Sequence, residues 1–431
     1  MAGFNGDEQL KYAISSLYVV DAVTGETVFD QNGSVGLAPA STEKIITAAT
    51  ILDVLGTSYT YDTKFGIVST GKGKSLYIEP SGDPSLGSWR WDETKDLAFI
   101  GRLKAALAEK GIKQLQSVII NTAKWGHETI PDGWIWQDVG NYYGAGAQAL
   151  NWRENQFDLV LKSGANIGDA VTIVKTTPFL YDYEIVSEAT AADKQTGDNS
   201  YLYYPSAGSK HGILTGTIPA GQNAYVVSGS MYDPATQFVK TIINNLKGTV
   251  SFDAPNGSVV RQPAPNVDWI LTNRSPKMTS LVYWFMRKSI NLYGEAFVKS
   301  LAFEKKGTAS TEKGIDELKN HWKNKGIDPE ELHLYDGSGL SPQNRITTRA
   351  EVAVLRYAKS QPWFSDYYKS FPDSYNSMVM KSGTINRVKG FAGYQKSKGG
   401  SEYIFSFIVN NYSGSQMGLV RKMYAVLNNL K

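Results

Sequence analysis

The sequence predicts a multi-domain α/β protein, and three observations predict it: the length, the balance of charged and apolar residues, and strand-like and helical segments whose texture changes in the middle. At 431 residues the chain exceeds one ordinary core. Two or three domains of about 100–200 residues each are expected, and one of them can be interrupted by another. Charged residues make up 20% and hydrophobic ones 42%, the balance of a folded soluble chain with substantial cores rather than a disordered one.

Residues 11–30 alternate in strand fashion, with Leu17-Tyr18-Val19-Val20 and Glu26-Thr27-Val28-Phe29 around Thr24-Gly25, and predict a hairpin followed by a turn at Asn32-Gly33. Ala38-Pro39-Ala40 then leads into Ser41. Ile45, Ile46, Ala49, Ile51, Leu52 and Leu55 form a helical apolar face that stops at Gly56, which puts Ser41 at or near a helix N-terminus. Residues 61–265 read differently. Short strand-like runs and turn clusters (Pro80-Ser81-Gly82-Asp83-Pro84, Gly164-Ala165-Asn166, Pro219-Ala220-Gly221) surround one clear helix at 97–110, with Ile100, Leu103 and Leu107 on one face and a stop at Gly111. Val118-Ile119-Ile120 follows as a strand, so a nested α/β unit is expected there. After a Pro-rich joint at Gln262-Pro263-Ala264-Pro265, helical patterning returns at 278–287 and 294–303. Residues 402–409 read as a buried strand and 419–427 as a closing helix. No internal repeat of fixed period is present.

Composition removes several classes of function. The net charge of +3, from 44 basic and 41 acidic residues with no long basic run, gives nucleic acid binding no support. The absence of cysteine excludes thiol nucleophiles, disulfides and Cys-ligated zinc, and is compatible with export. No stretch approaches the roughly 18 apolar residues of a membrane span. No charged-then-apolar leader opens the chain, as expected for a mature form and equally for a cytoplasmic protein. His127, His211, His321 and His333 lack metal-ligand spacing and are expected to be structural or exposed, so neither metal nor cofactor is implied. The missing Gly-x-Ser-x-Gly elbow argues against an α/β-hydrolase triad.

Ser41-Thr42-Glu43-Lys44 carries the sharpest chemistry. On a helix, Ser and Lys three apart lie on one face roughly 5–6 Å from each other, so Lys44 can reach Ser41. A serine hydroxyl becomes nucleophilic when a neighbour takes its proton, and a lysine does this when burial lowers its pKa. The helix N-terminus adds backbone N–H groups for a developing oxyanion. The same tetrapeptide recurs as Ser310-Thr311-Glu312-Lys313, but among Lys305, Lys306, Gly307 and Gly314, as a surface helix cap would be.

Enzymes that use a Ser-x-x-Lys pair add a second Ser with Asn and a Lys-Thr-Gly strand. Ser289-Ile290-Asn291 and Lys381-Ser382-Gly383-Thr384 fit those roles, Ser382 replacing Thr as the hydroxyl beside a Gly that permits close approach. Two further matches compete. Lys162-Ser163-Gly164 precedes any Ser-x-Asn and is excluded by order. Ser374-Tyr375-Asn376 stands only about seven residues before Lys381, a short reach at roughly 3.3 Å per residue, and Ser289 is preferred.

Further segments keep the same order: Ser81-Gly82-Asp83-Pro84-Ser85-Leu86, Tyr293-Gly294-Glu295-Ala296, Tyr335-Asp336-Gly337-Ser338-Gly339-Leu340-Ser341, and Gly390-Phe391-Ala392-Gly393-Tyr394. With these, the chain resembles the low-molecular-mass class C penicillin-binding proteins, the D-Ala-D-Ala carboxypeptidase/endopeptidases of peptidase family S13. The resemblance implies a transpeptidase-like catalytic domain, an antiparallel sheet flanked by helices, from residues 1–60 and 266–431. Residues 61–265 would be an inserted α/β and β-rich region, with a nested α/β unit near 91–150.

It also implies roles. Ser41 attacks the D-Ala-D-Ala carbonyl, Lys44 is the general base and Ser289 relays a proton toward the leaving amine. Asn291 holds the substrate amide; Lys381, Ser382 and Thr384, with Gly383 between them, bind the terminal carboxylate; the N–H groups of Ser41 and Thr384 form the oxyanion hole. Asp336-Gly337-Ser338-Gly339 is expected as a tight turn bordering the site. Trp134, Trp136, Asp138 and Tyr143 resemble a loop that meets the far end of the stem-peptide side chain.

Two departures stand out: Pro342 occupies a place where family members often carry Arg, and the stretch 370–380 is short. The implied partners are peptidoglycan stem peptides, with β-lactam antibiotics as covalent inhibitors, at a periplasmic or other extracytoplasmic location. A β-lactamase or esterase, or a non-catalytic binding protein of the same fold, remain the competing readings.

Overall fold

Five strands form an antiparallel sheet in the order Thr27–Gln31, Ile14–Asp21, Glu402–Asn410, Val388–Lys396, Val379–Ile385. The structure is a computed structural model and describes residues 1–206, 208–373 and 375–431. The alternation of side chains along each strand decides which face meets which helix. Leu17, Val19, Met380, Phe391, Phe405, Phe407 and Val409 pack with Leu419, Met423 and Leu427 of the closing helix Gln416–Leu427. On the other face Ser16 is fully buried, its hydroxyl sharing a 2.6 Å hydrogen bond with Thr348 at the start of the helix Thr348–Lys359.

The helix Lys44–Val54 is buried along nearly its whole length, where the sequence pattern predicted one apolar face. A helix apolar on every side belongs in the middle of a bundle. The helices Met278–Lys288, Asn291–Lys306, Thr311–Lys323 and Thr348–Lys359 all pack on it. Its two interior threonine hydroxyls are satisfied locally: Thr47 donates to the Gly337 carbonyl at 2.8 Å, while Thr50 donates to Ile46 at 2.8 Å and accepts from the Trp322 indole at 2.8 Å.

These elements make up one compact unit, residues 1–59, 131–134 and 277–431; residues 60–130 and 135–276 make up the other. The second unit has a mixed five-stranded sheet in the order Gly257–Val260, Val118–Asn121, Gly73–Glu79, Asp62–Thr70, Asp268–Arg274. Its core joins Phe65, Phe99, Trp152 and Phe238 and includes the helices Asp96–Glu109 and Pro234–Leu246. A β-rich part follows around Phe157, Leu159, Leu202 and Tyr204.

Two details differ from the sequence reading. The strand Asp268–Arg274 pairs with Asp62–Thr70, so the chain rejoins the first unit only at Lys277, past the expected boundary at 266. The middle region also holds a second long helix, Pro234–Leu246, with Asp233 as N-cap accepting from the Thr236 N–H and a proline at its first position. That Asp-Pro start, with apolar residues at 238, 239, 242, 243 and 246, was a legible helix signal.

Candidate active site

Ser41 lies in a short 3-10 turn, Ala40–Glu43, that runs directly into the helix beginning at Lys44. The turn is clamped from two sides. Ala40 adopts a left-handed backbone (φ 50°), uncommon without glycine, and is completely buried. A Cβ on Gly339 would stand 2.0 Å from the Ala40 carbonyl oxygen. A Cβ on Gly383 would stand 2.5 Å from the Pro39 carbonyl and 2.9 Å from the Ser41 nitrogen. Glycine at 383 thus lets the edge strand Val379–Ile385 lie flat against the Ser41 turn.

The Lys44 side chain is fully buried and makes three hydrogen bonds from Nζ: 2.9 Å to Ser41 Oγ, 2.6 Å to Asn291 Oδ1 and 2.5 Å to the Ser338 carbonyl. Burial brings its pKa down to about 8, against the opposing pull of Asp336, Glu43 and Glu295. The consequence is directional. A neutral amine has two N–H bonds and one lone pair. Asn291 and Ser338 are acceptors and occupy the two N–H bonds, so the lone pair of the neutral amine faces the Ser41 hydroxyl.

A second Ser–Lys pair sits beside the first. Ser289 closes the helix Met278–Lys288 in a left-handed conformation (φ 56°), and Asn291 opens the helix Asn291–Lys306 two residues later. Lys381 Nζ donates to Ser289 Oγ at 3.0 Å and to the Ser382 carbonyl at 2.9 Å. Burial, then the neighbouring charges of Lys44 and Lys389, hold Lys381 well below the usual lysine range. The lysines Lys44, Lys381 and Lys389 are buried, whereas Ser41, Ser289 and Ser382 are half-buried and Thr384 is exposed. Hydroxyls therefore line the accessible surface with the amines behind them.

Behind Lys44 lies an acidic cluster that motif reasoning did not identify. Asp336 accepts from the N–H groups of Ser338, Gly339 and Ser341, from the Asn344 amide and from the Trp134 indole at 2.7 Å. Glu295 receives the Gly337 N–H at 3.2 Å on each oxygen, and burial followed by the Asp336 charge pushes it up to about 8. Glu43 is pushed well above the carboxylate range by burial and then by Asp336 and Glu295. Both shifts favour the protonated acid. The Asp336-Gly337-Ser338-Gly339 turn borders the site as expected and also supplies the Ser338 carbonyl directly to Lys44.

The remaining candidates fall elsewhere. Asp138 and Tyr143 belong to the second unit, where they interact with each other; burial raises Asp138 to about 6 and Tyr143 further above the phenol range. Trp136 donates to the Tyr204 carbonyl at 2.7 Å in that same unit. Ser310 is the N-cap of Thr311–Lys323, its side chain accepting from the Lys313 N–H. Ser163 ends a strand of the second unit and donates to the Pro219 carbonyl at 2.7 Å. Ser374 lies outside the described residues.

Similarity to known proteins agrees with this geometry. Residues 2–429 match the D-Ala-D-Ala carboxypeptidase 3 (S13) family. A D-alanyl-D-alanine carboxypeptidase of Actinomadura sp. is 27% identical over 97% of this chain and 82% of the relative. Penicillin binding protein 4 (dacB) of Haemophilus influenzae superposes with a TM-score of 0.82 at 20% identity, covering 100% of this chain and 98% of that one. The same protein complexed with a β-lactam superposes with a TM-score of 0.76 at 19% identity, covering 100% of this chain and 98% of that one. With a match that runs almost from end to end, the chain belongs to the D-Ala-D-Ala carboxypeptidase S13 family and is a serine-type carboxypeptidase.

Proposed function

We propose that the protein cleaves the terminal D-Ala-D-Ala bond of peptidoglycan stem peptides through an acyl-enzyme on Ser41. The observation that carries this reading is the Lys44 amine, 2.9 Å from Ser41 Oγ with its other two hydrogen bonds committed to fixed acceptors. Neutral Lys44 takes the Ser41 proton as Oγ bonds to the carbonyl carbon, and the N–H groups of Ser41 and Thr384 receive the oxyanion. The C–N bond then breaks, and the leaving nitrogen takes the proton held by Lys44, passed through Ser289, which leaves Lys44 neutral again. Water adds to the acyl carbon, and its proton returns through Lys44 to Ser41 as the ester breaks. Each step conserves protons between Ser41, Lys44 and substrate.

The edge strand Val379–Ile385 pairs with Val388–Lys396 on one side, so an extended peptide can add along its other side. There Lys381 and the hydroxyls of Ser382 and Thr384 bind the terminal carboxylate, and the Asn291 amide holds the peptide while its oxygen aligns Lys44. When the leaving amine belongs to a second stem peptide, the same steps make an endopeptidase. Such substrates place the protein outside the cytoplasmic membrane; among the described residues no helix is long and apolar enough to cross one.

Penicillins acylate Ser41 by the same first step and stay attached. Intact-mass measurement after incubation with benzylpenicillin should show one persistent adduct, lost in Ser41→Ala and retained in Ser310→Ala. Rapid penicillin turnover without an adduct would indicate a β-lactamase instead, and an adduct that survives Ser41→Ala would remove the assignment.

A further inference from the structure

One buried lysine has no part in the chemistry described so far. Lys389 is the cross-strand partner of Thr384 in the register between the edge strand and Val388–Lys396, so the two side chains share one sheet face. Its Nζ donates to Thr384 Oγ1 at 2.8 Å and stands 4.8 Å from the centre of the Phe391 ring. Only 6% of the residue is exposed, and no carboxylate among the described residues forms an ion pair with it. An ammonium kept from water without a counter-charge is costly, and burial lowers its pKa to about 8. Lys381 nearby is likewise buried with no acid paired to it among the described residues, and the Lys389 charge acts on it. The sheet edge therefore holds two buried amines in excess of the acids that face them among the described residues.

Thr384 shows what the excess is for. Its hydroxyl oxygen accepts from Lys389, so its own proton must be donated elsewhere, and the residue is exposed. Lys389 turns Thr384 into an outward donor on the strand where the peptide's C-terminus is assigned.

We propose that Lys389 is a positioning residue for the substrate's terminal carboxylate: by donating to the Thr384 hydroxyl it aims that group's proton at the carboxylate and strengthens it as a donor, so that the site selects a free carboxylate. The inference rests on the peptidase reading above. Charge-assisted hydrogen bonds to a carboxylate are roughly twice as strong as neutral ones, so Lys389 favours the anionic C-terminus over a neutral one.

The test compares two peptides ending in D-Ala-D-Ala, one with a free carboxylate and one amidated, on the full chain and on Lys389→Met, Lys389→Arg, Thr384→Val and the Lys389→Met/Thr384→Val pair. Lys389→Met should raise KM for the carboxylate peptide about 10–100-fold while leaving the amide nearly unchanged, with Lys389→Arg restoring most of the preference. The double variant should lose little more than either single one, because both act on the same hydroxyl. Equal losses on the two peptides, or single-variant effects that multiply in the pair, would overturn the inference. Should Lys389→Met not fold, Thr384→Val and Lys389→Arg decide it: an undiminished carboxylate preference in Thr384→Val, or its loss in Lys389→Arg, removes the role. Penicillin acylation of Ser41 separates the levels. An unchanged adduct with an unchanged preference sinks Lys389 alone, whereas no adduct in the parent chain removes the reading beneath it.

Discussion

Lys44 carries opposing demands, since a base must be neutral and a buried amine near acids is drawn toward its charged form. Burial wins over Asp336, Glu43 and Glu295 and leaves the pKa at about 8. The sign of the pH dependence follows. Below that value Lys44 is mostly protonated and cannot take the Ser41 proton, so acylation should rise about tenfold per pH unit up to about 8 and then level off. Stopped-flow acylation by a chromogenic cephalosporin between pH 5 and 10 measures this; a flat profile would show that Lys44 is not the acylation base. The acids behind it behave oppositely. The folded-state pKa of Glu295, about 8, lies above the ordinary value of 4.5, so the folded chain holds a proton that the unfolded chain releases between those values. Stability from Glu295 is complete below about 4.5 and declines as pH rises to about 8, by an amount on the order of a few kcal/mol. Glu295→Gln should flatten the urea midpoint across that window. An equally steep decline in the variant would place the linkage elsewhere.

At the scale of elements, the site depends on how closely backbone segments approach. The Gly383 position leaves no room for a methyl group between the edge strand and the Pro39 carbonyl. Gly383→Ala should therefore slow penicillin acylation by about 100-fold or more while costing roughly 1–3 kcal/mol of stability, because the strand must move from the Ser41 turn. Acylation at the parent rate would mean the strand yields without consequence. Ser310 provides the contrast, since it opens the same Ser-Thr-Glu-Lys tetrapeptide as Ser41 yet caps Thr311–Lys323. Ser310→Ala should lose about 0.5–2 kcal/mol in urea unfolding and leave acylation untouched. The two serines share a local sequence, and their surroundings separate them.

On the scale of the whole molecule, the chain closes one unit through segments far apart in sequence, with a second unit between them. The second unit's core is centred on aromatic packing: Trp152 meets Phe238 at 5.0 Å and Phe99 at 6.0 Å between ring centres. Trp152→Ala should destabilise this unit by about 3–5 kcal/mol, seen as a separate early transition in urea followed by tryptophan fluorescence. A single unshifted transition would show that the core absorbs the loss.

Some of this was legible in residue order alone. Ser41 with Lys44, Ser289 with Asn291 and Lys381 to Thr384 were named by type and spacing, because the chemistry needs those groups and local geometry sets their reach. The hairpin, the long helix in the middle region and the closing helix were read from periodicity, since 2.0- and 3.6-residue repeats are local consequences of burial on one face. Tertiary structure decided the rest. That Asn291 and Ser338 hold the Lys44 amine depends on contacts nearly 250 to 300 residues away along the chain. Glu43 and Glu295 look like ordinary acids in the sequence, and only their burial beside Asp336 pushes both pKa values up. No motif in the sequence marks Lys389, and only the register places it against Thr384. Motif and period follow from bonds between near neighbours, whereas pKa, hydrogen-bond partner and burial follow from what the fold brings close, and no local pattern encodes that.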